Sequence, residues 1–374
     1  MSQTRETPPT AWRGGWINRL IARPGFQSWA SKFPLTKGRA RADGAALFDV
    51  VQGFVQSQVL FALVELQVFR RLSVSGPTSA EDLGRALDIK GARMQVILQA
   101  GAALGLLKRR RDGRFALARK GAALLGVPGL EAMIRHHRAF YDDLRDPVQL
   151  LRDPEETELS KFWPYVFGGD VPQAEASIYS DLMAQSQRLV AEDTLRTVSL
   201  KGVTHLLDIG GGTGAFLEAA GRTAPKMHMT LFDLPAVVPD ADARFAAAGM
   251  ADRVTIVPGS FRQDALPQGM DAVSLIRVLY DHVDETVLAL LTKVFASLPA
   301  GGRLIISEPM GGGVTPDRVG DVYFALYTMA MKTGRARSAA EIATMLAEVG
   351  FDEITTYKPA RTYVTQVVTA IRPK

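Results

Sequence analysis

Leu206-Leu207-Asp208-Ile209-Gly210-Gly211-Gly212-Thr213-Gly214-Ala215-Phe216 decides the fold of this chain. It reads as an apolar strand running into a glycine-rich turn and then a helix. Glycines in a Gly-x-Gly-x-Gly array let the backbone turn sharply and approach a ligand closely, because no Cβ stands in the way. A helix opening near Phe216 adds free N–H groups that favour an anionic group. Gly210, Gly212 and Ala215 also satisfy the looser Gly-x-Gly-x-x-Ala pattern of dinucleotide binders, so the flanks must decide the ligand.

Two acids supply that test. Asp208 stands at the strand end, where its carboxylate would take a ligand's ammonium directly or through water. Asp233 ends the next apolar run, Met227 to Phe232, and is followed by Leu234-Pro235. An acid at the tip of the second strand is placed to accept both ribose hydroxyls of an adenosine, which a nicotinamide site also asks of it. The pair therefore points to an adenosine-bearing ligand; the competing reading is that Asp208 caps the turn and Asp233 caps a helix.

The 374-residue length predicts two domains plus an extension. The absence of cysteine excludes disulfides, thiolate nucleophiles and Cys-ligated zinc. No 18-residue apolar run is free of charges or helix breakers and no signal-peptide pattern opens the chain, so a soluble, cytoplasmic protein is expected. Residues 1–41 hold eight Lys/Arg and one Glu, a net +7 against an overall +5, so the globular remainder is slightly acidic. This arm interleaves Trp12, Trp16, Phe26, Trp29 and Phe33 with Arg13, Arg19, Arg23, Lys32 and Lys37. Mixed basic and aromatic side chains suit an anionic headgroup region, which would place the protein peripherally at the inner membrane. Packing on its own domain or on a second subunit, and nucleic-acid binding, are the other readings of the arm.

Ala45 through Leu72 is a long apolar, helix-prone stretch whose face requires burial, against a partner subunit for instance. Ser79 with Asp82 resembles a capping box opening a helix to Leu87; a second helix runs from Ala92 to Leu104, and Asp112-Gly113 turns a hairpin between 106–111 and 114–117. Two helices and a wing spell a winged helix, which raises a DNA-binding regulator. The second helix carries only Arg93, Gln95 and Gln99 as polar residues and reads as buried, which argues against base contact. His136 and His137 are adjacent and share no helical face, so surface or packing roles are expected. The aromatic segment Phe162-Trp163-Pro164-Tyr165-Val166-Phe167, with Tyr179 and Met183, reads either as core or as the wall of a pocket for a large apolar substrate.

Beyond residue 200, strands are expected at 204–209, 227–232, 253–257, 271–276 and 302–307, each spaced for a helix, which predicts a parallel sheet. Phe351 to Tyr357 and Tyr363 to Ile371 then form a strand pair, so the last strand should be antiparallel. An α/β, Rossmann-like sheet closed in this way resembles the S-adenosylmethionine (SAM) methyltransferase fold more than a dehydrogenase.

Asp208 to Gly214, Asp233-Leu234-Pro235, Gly301-Gly302-Arg303-Leu304-Ile305-Ile306-Ser307-Glu308, and Arg337-Ser338 leading into Glu341 and Gly350-Phe351 together resemble the plant-type small-molecule O-methyltransferases and their bacterial relatives. The likeness spans roughly residues 45–374. Within that group Phe33-Pro34-Leu35-Thr36, Ala46-Leu47-Phe48-Asp49 and Arg277-Val278-Leu279-Tyr280-Asp281-His282 resemble the carotenoid-hydroxyl methyltransferases of purple bacteria, the hydroxyneurosporene or demethylspheroidene type of spheroidene biosynthesis. The resemblance implies a homodimer with a helical winged-helix dimerisation domain (42–185) behind the arm (1–41) and a SAM-binding catalytic domain (186–374). It implies that Asp208, Gly210 and Gly212 cradle the methionine end of SAM, that Asp233 holds the ribose, that Ser260 and Phe261 flank the adenine, where many relatives have an acid in place of Ser260, and that Arg277 belongs to the cofactor contacts.

The sequence departs from the family at the base. Where relatives carry a histidine followed by Asp and Trp, this chain has Tyr280, Asp281 and His282 ahead of Asp284-Glu285. A neutral imidazole accepts a hydroxyl proton near pH 7, whereas a phenol must first lose its own. His282 is therefore the expected base, with Asp281 or Tyr280 orienting the substrate; the other reading makes His282 structural and catalysis mainly positional. Glu308 matches a family position that orients the base, and a second such acid is replaced by Ala336. No metal is implied. Tyr323, Phe324, Tyr327, Met329 and Met331, with Phe162, Trp163, Tyr179 and Met183, would form a large apolar wall suited to a C40 alcohol. A different apolar alcohol or phenol is the alternative substrate, and a SAM-sensing DNA regulator the alternative class.

Overall fold

The computed structural model describes residues 15–153, 156–161 and 186–374, so Phe162, Trp163, Tyr179 and Met183 lie outside the described residues. The chain forms two compact units, residues 1–122 and 123–374.

The first unit opens with two short helices, α1 (Trp16–Ile21) and α2 (Pro24–Ala30). The long α3 (Lys37–Glu65) and α4 (Val68–Ser75) follow, separated where Gln67 takes a left-handed conformation at φ 55°. The long apolar, helix-prone stretch is thus helical in two pieces. Only the end of α3 packs inward, through Val59, Leu63 and Val64; Leu47, Val50, Val51 and Phe54, one face by i, i+3, i+4, i+7 spacing, remain exposed. By length and composition α3 would also suffice to cross a membrane.

The winged-helix pattern is present as α5 (Ala80–Ala86), α6 (Gly91–Ala103) and the antiparallel pair β1 (Leu107–Arg109) and β2 (Phe115–Leu117). The Ser79 side chain caps α5 by accepting the Asp82 N–H. α6 is half-buried rather than enclosed: Met94, Leu98 and Gly101 face the core, whereas Val96 is exposed. Its inner face needs Gly101, since a Cβ there would stand 2.8 Å from Leu63 Cδ1.

The second unit starts within α7 (Arg119–Leu125), followed by α8 (Leu130–Asp143), α9 (Pro147–Leu151), α10 (Glu158–Lys161) and the helix α11 through residues 186–197. A seven-stranded sheet then forms in the order β5-β4-β3-β6-β7-β9-β8. Its parallel strands are β3 (His205–Ile209), β4 (His228–Asp233), β5 (Val254–Pro258), β6 (Ala272–Ile276) and β7 (Arg303–Glu308). The last two, β8 (Asp352–Thr356) and β9 (Gln366–Ile371), pair antiparallel, with β9 slotted between β7 and β8. The helices α12 (Ala215–Thr223), α13 (Ala241–Ala247), α14 (Asp284–Ser297), α15 (Ala325–Met331) and α16 (Ala339–Val349) complete it.

Strands buried on both faces read as near-continuous apolar runs, which is why the expected strand positions match those observed. Two apolar layers follow. One unites Leu207, Ile209, Val273 and Leu275 with Leu290 and Leu291 of α14 and Leu346 of α16; the other unites Leu206, Met229 and Leu231 with Phe216 and Leu217 of α12 and Phe245 of α13. A third cluster joins Phe140, Leu150 and Leu159 to Tyr327, Ala330 and Met331. Helices α8 to α10 fall in the sheet-bearing compact unit, packed on α15.

Candidate active site

The site forms where β3, β4, β6 and β7 end, side by side, at their carboxyl edge. In an open α/β sheet this is where a ligand has room, because neighbouring connections leave in opposite directions. Gly210 leaves β3 at φ 69° and packs directly on the turn that follows β6: a Cβ there would stand 2.8 Å from Val278 Cγ2. Gly211 answers to the acid instead. Its Cβ would fall 2.4 Å from Asp208 Oδ2 and 2.5 Å from Leu231 Cδ1, so only glycine leaves the carboxylate its place.

Asp208 is fully buried. Its Oδ1 accepts the Ser274 hydroxyl at 2.6 Å, while Oδ2 has no hydrogen-bond partner. Burial pushes the carboxyl up to about 7; the Ser274 hydroxyl opposes the shift and the neighbouring Asp233 charge adds to it. A buried acceptor left unpaired costs free energy, and a cationic ligand group removes that cost. Thr213 Oγ1, at the same loop, is likewise buried without a partner. At the tip of β4, Asp233 accepts the Gly212 N–H at 2.6 Å and the Leu234 N–H at 2.7 Å, which ties the glycine loop to the second strand. Burial raises its carboxyl too, against the pull of those two N–H groups. Each oxygen keeps a lone pair for a ribose hydroxyl. The unpaired Oδ2 of Asp208 suits an ammonium group, and the Asp233 carboxylate suits a pair of hydroxyls.

Ser260 and Phe261 follow β5. Ser260 donates its N–H to Asp264 at 2.8 Å, and the half-buried Phe261 ring meets His282 edge-on at 5.2 Å. His282 is buried, with Nδ1 3.0 Å from an Arg262 guanidinium nitrogen. Burial, reinforced by the Arg262 and Arg337 charges, lowers its imidazole to about 4.

The turn bearing Tyr280, Asp281 and His282 is held from two sides. Glu308, at the end of β7, accepts the N–H groups of Val278 and Leu279 at 2.8 Å each and that of Tyr280 at 3.4 Å. Burial raises its carboxyl to about 7, with the three N–H groups opposing. Arg337, itself buried, donates to the carbonyls of Leu279 (2.8 Å) and His282 (2.7 Å) and pairs with Asp284. Side chains two positions apart then diverge: His282 faces Phe261, whereas Tyr280 meets Phe324 edge-on at 6.4 Å. Burial and the Asp281 charge raise the Tyr280 phenol above its ordinary range.

Arg277, assigned from sequence to the cofactor, adopts φ 60°, and its guanidinium reaches Ser186 at 2.8 Å within electrostatic range of Tyr280, Asp281, Tyr323 and Tyr327. It is placed with the tyrosine side of the turn. On α15, Tyr327 and Met331 are buried together, but Met329 lies on the opposite face and is exposed; it does not share a wall with them. Sequence reasoning missed the polar contents of this wall. His136 Nε2 lies 2.9 Å from the Tyr327 hydroxyl, and His137 Nε2 lies 2.7 Å from that of Tyr323, in the π-wound turn Arg318–Phe324. Burial lowers the His136 imidazole to about 4, so it stays neutral at pH 7.

Residues 141–352 match the family described as the O-methyltransferase domain, and residues 48–126 the O-methyltransferase dimerisation domain. Demethylspheroidene O-methyltransferase of Cereibacter sphaeroides is 54% identical over 95% of this chain and 94% of its own. The protein of the same name from Rhodobacter capsulatus is 48% identical over 99% of this chain and 93% of its own. The crystal structure of human N-acetylserotonin methyltransferase in complex with SAM superposes with a TM-score of 0.74 at 22% identity, covering 89% of this chain and 98% of that one.

Proposed function

This chain belongs to the O-methyltransferase family and is a SAM-dependent enzyme, and from that premise we propose that it methylates a hydroxyl of an acyclic carotenoid of the hydroxyneurosporene or demethylspheroidene type, in spheroidene biosynthesis. The observation that carries the substrate class is the near full-length likeness to two enzymes named for demethylspheroidene. The donor supplies its own leaving group and a full positive charge. What the chain supplies is position and dryness. Asp208 Oδ2 takes the ammonium, Asp233 takes the ribose hydroxyls, and Phe261 flanks the adenine with Ser260 beside it. Tyr327, Met331 and the aromatic turn at Tyr323-Phe324 form the apolar wall, with two tyrosine hydroxyls as its polar points.

The working form on this reading is a homodimer, with the partner covering the exposed face of α3 at Leu47, Val50, Val51 and Phe54, inside or beside the dimerisation match. The arm exposes Trp16, Ile17, Trp29 and Leu35 among basic residues, which suits an anionic bilayer where a C40 chain dissolves. Incubation with methyl-labelled SAM and a pigment extract tests the substrate: label in a methoxy group on an acyclic hydroxycarotenoid supports it. Label on phenols with none on carotenoid would refute it.

A further inference from the structure

The family resemblance implies a histidine base at the position that Tyr280 holds here, so the identity of the group that takes the hydroxyl proton is open to the geometry. Of the two neighbours, His282 turns toward Phe261, the segment assigned to the adenine, and its Nδ1 already meets the Arg262 guanidinium. Two arginines stand close to it in charge terms. An imidazole that gains a proton there would face both.

Asp281 accepts a hydrogen bond from the Tyr280 phenol and lies near both Arg277 and Glu308. Its Oδ1 is buried and has no hydrogen-bond partner. It sits on the turn whose first residue, Val278, packs on Gly210 of the donor loop, and the backbone of that turn is clamped by Glu308 and Arg337. The charged and titratable groups around it are Glu308 from β7, Arg277 and Tyr280 on its own segment, and Tyr327 from α15, the last hydrogen-bonded to His136 of α8. A carboxylate oxygen left unpaired beside a clamped turn is a base awaiting its donor, because an unsatisfied buried acceptor gains most from the proton it receives.

We propose that Asp281 is the general base of the methyl transfer and that His282 is a positioning residue on the adenine side of the turn. This rests on the methyltransferase reading above. As the substrate oxygen bonds to the methyl carbon, the methyl–sulfur bond breaks with its electron pair going to sulfur. The hydroxyl proton passes to the Asp281 carboxylate, and from there to solvent after product release. Burial, with the Glu308 charge adding, raises the Asp281 carboxyl well above the ordinary carboxylate range, which brings it nearer the strength a hydroxyl proton calls for.

The test compares Asp281→Asn, Asp281→Glu and His282→Gln in the full chain, using an acyclic hydroxycarotenoid that the wild type turns over. Donor affinity is read by calorimetry and turnover across pH. The expected result is that Asp281→Asn binds SAM as the wild type does while kcat falls roughly 10²–10⁴-fold, the range typical of a lost general base. Its turnover also loses the acid limb of the pH profile. Asp281→Glu should keep that limb with a smaller loss, and His282→Gln should lower kcat by less than Asp281→Asn. The proposal is overturned if Asp281→Asn keeps its turnover and acid limb, or if His282→Gln alone removes the limb with SAM binding intact. Failure of the wild type to methylate any hydroxycarotenoid would instead defeat the substrate reading.

Discussion

At the scale of single residues, the proposed donor site turns on one carboxylate oxygen and the glycine that makes room for it. Gly211→Ala puts a Cβ 2.4 Å from Asp208 Oδ2, so the carboxylate must move. Calorimetry should show SAM affinity falling at least about tenfold, near 1.4 kcal/mol; unchanged affinity would contradict the assignment of Oδ2 to the ammonium. The same carboxyl sets a pH dependence. Its folded value of about 7 lies above its ordinary value, so in the donor-free protein it ionises later than in the unfolded chain, and its contribution to stability falls as pH rises toward 7. The donor wants it ionised. The thermal shift produced by SAM should therefore grow between about pH 6 and about pH 8 and flatten above; a shift that shrinks over that window would contradict this. Asp233→Ala should abolish donor binding outright. The glycine turn and the place of the two acids at the strand tips were legible in sequence because a sharp turn at a strand end constrains residue type locally. His136 and His137 were not. Adjacent residues carry no periodic signature, and their tyrosine partners lie 191 and 186 positions away.

At the scale of elements, the turn after β6 is held by groups from two others, Glu308 on β7 and Arg337 ahead of α16. Arg337→Met removes the donors to the Leu279 and His282 carbonyls and leaves Asp284 with Arg335. Loss of a buried, hydrogen-bonded charge should cost roughly 3 kcal/mol of stability, measured by denaturant unfolding. Turnover should fall more steeply than SAM affinity, since the turn loosens while Asp208 and Asp233 stay in place; equal losses in both would place Arg337 in the donor site instead. The alternation of strand and helix, and the antiparallel close, were legible because buried strands need apolar runs of fixed length. The break between α3 and α4 was not, since Gln67 takes a left-handed conformation with no glycine or proline to announce it. Nor was the outward turn of Met329: an apolar residue two positions from Tyr327 looks like a wall until the helical period sends it to the other face.

At the scale of the whole molecule, two surfaces expose large apolar side chains, α3 and the arm ahead of it. Phe54→Glu on the exposed face of α3 should shift the protein from dimer toward monomer in sedimentation, since a carboxylate cannot be buried there without a partner. Deleting residues 1–41 should leave SAM binding intact and weaken association with anionic liposomes, an effect that salt would mimic; unchanged liposome association would refute a membrane role for the arm. Composition marked that arm by charge and tryptophan. The boundary between units was hidden, because helices α8 to α10 pack on α15 through Tyr327 and Met331, contacts between residues far apart in the chain.

The most direct test of the account follows the methyl group. Purified protein is given methyl-labelled SAM together with an acyclic carotenoid bearing a tertiary hydroxyl, and the pigment is recovered and examined for label. The expected product is a labelled methoxy group on the carotenoid, formed in step with S-adenosylhomocysteine. No label on that pigment, with transfer to phenols or with uptake of a nicotinamide nucleotide in place of SAM, would contradict it.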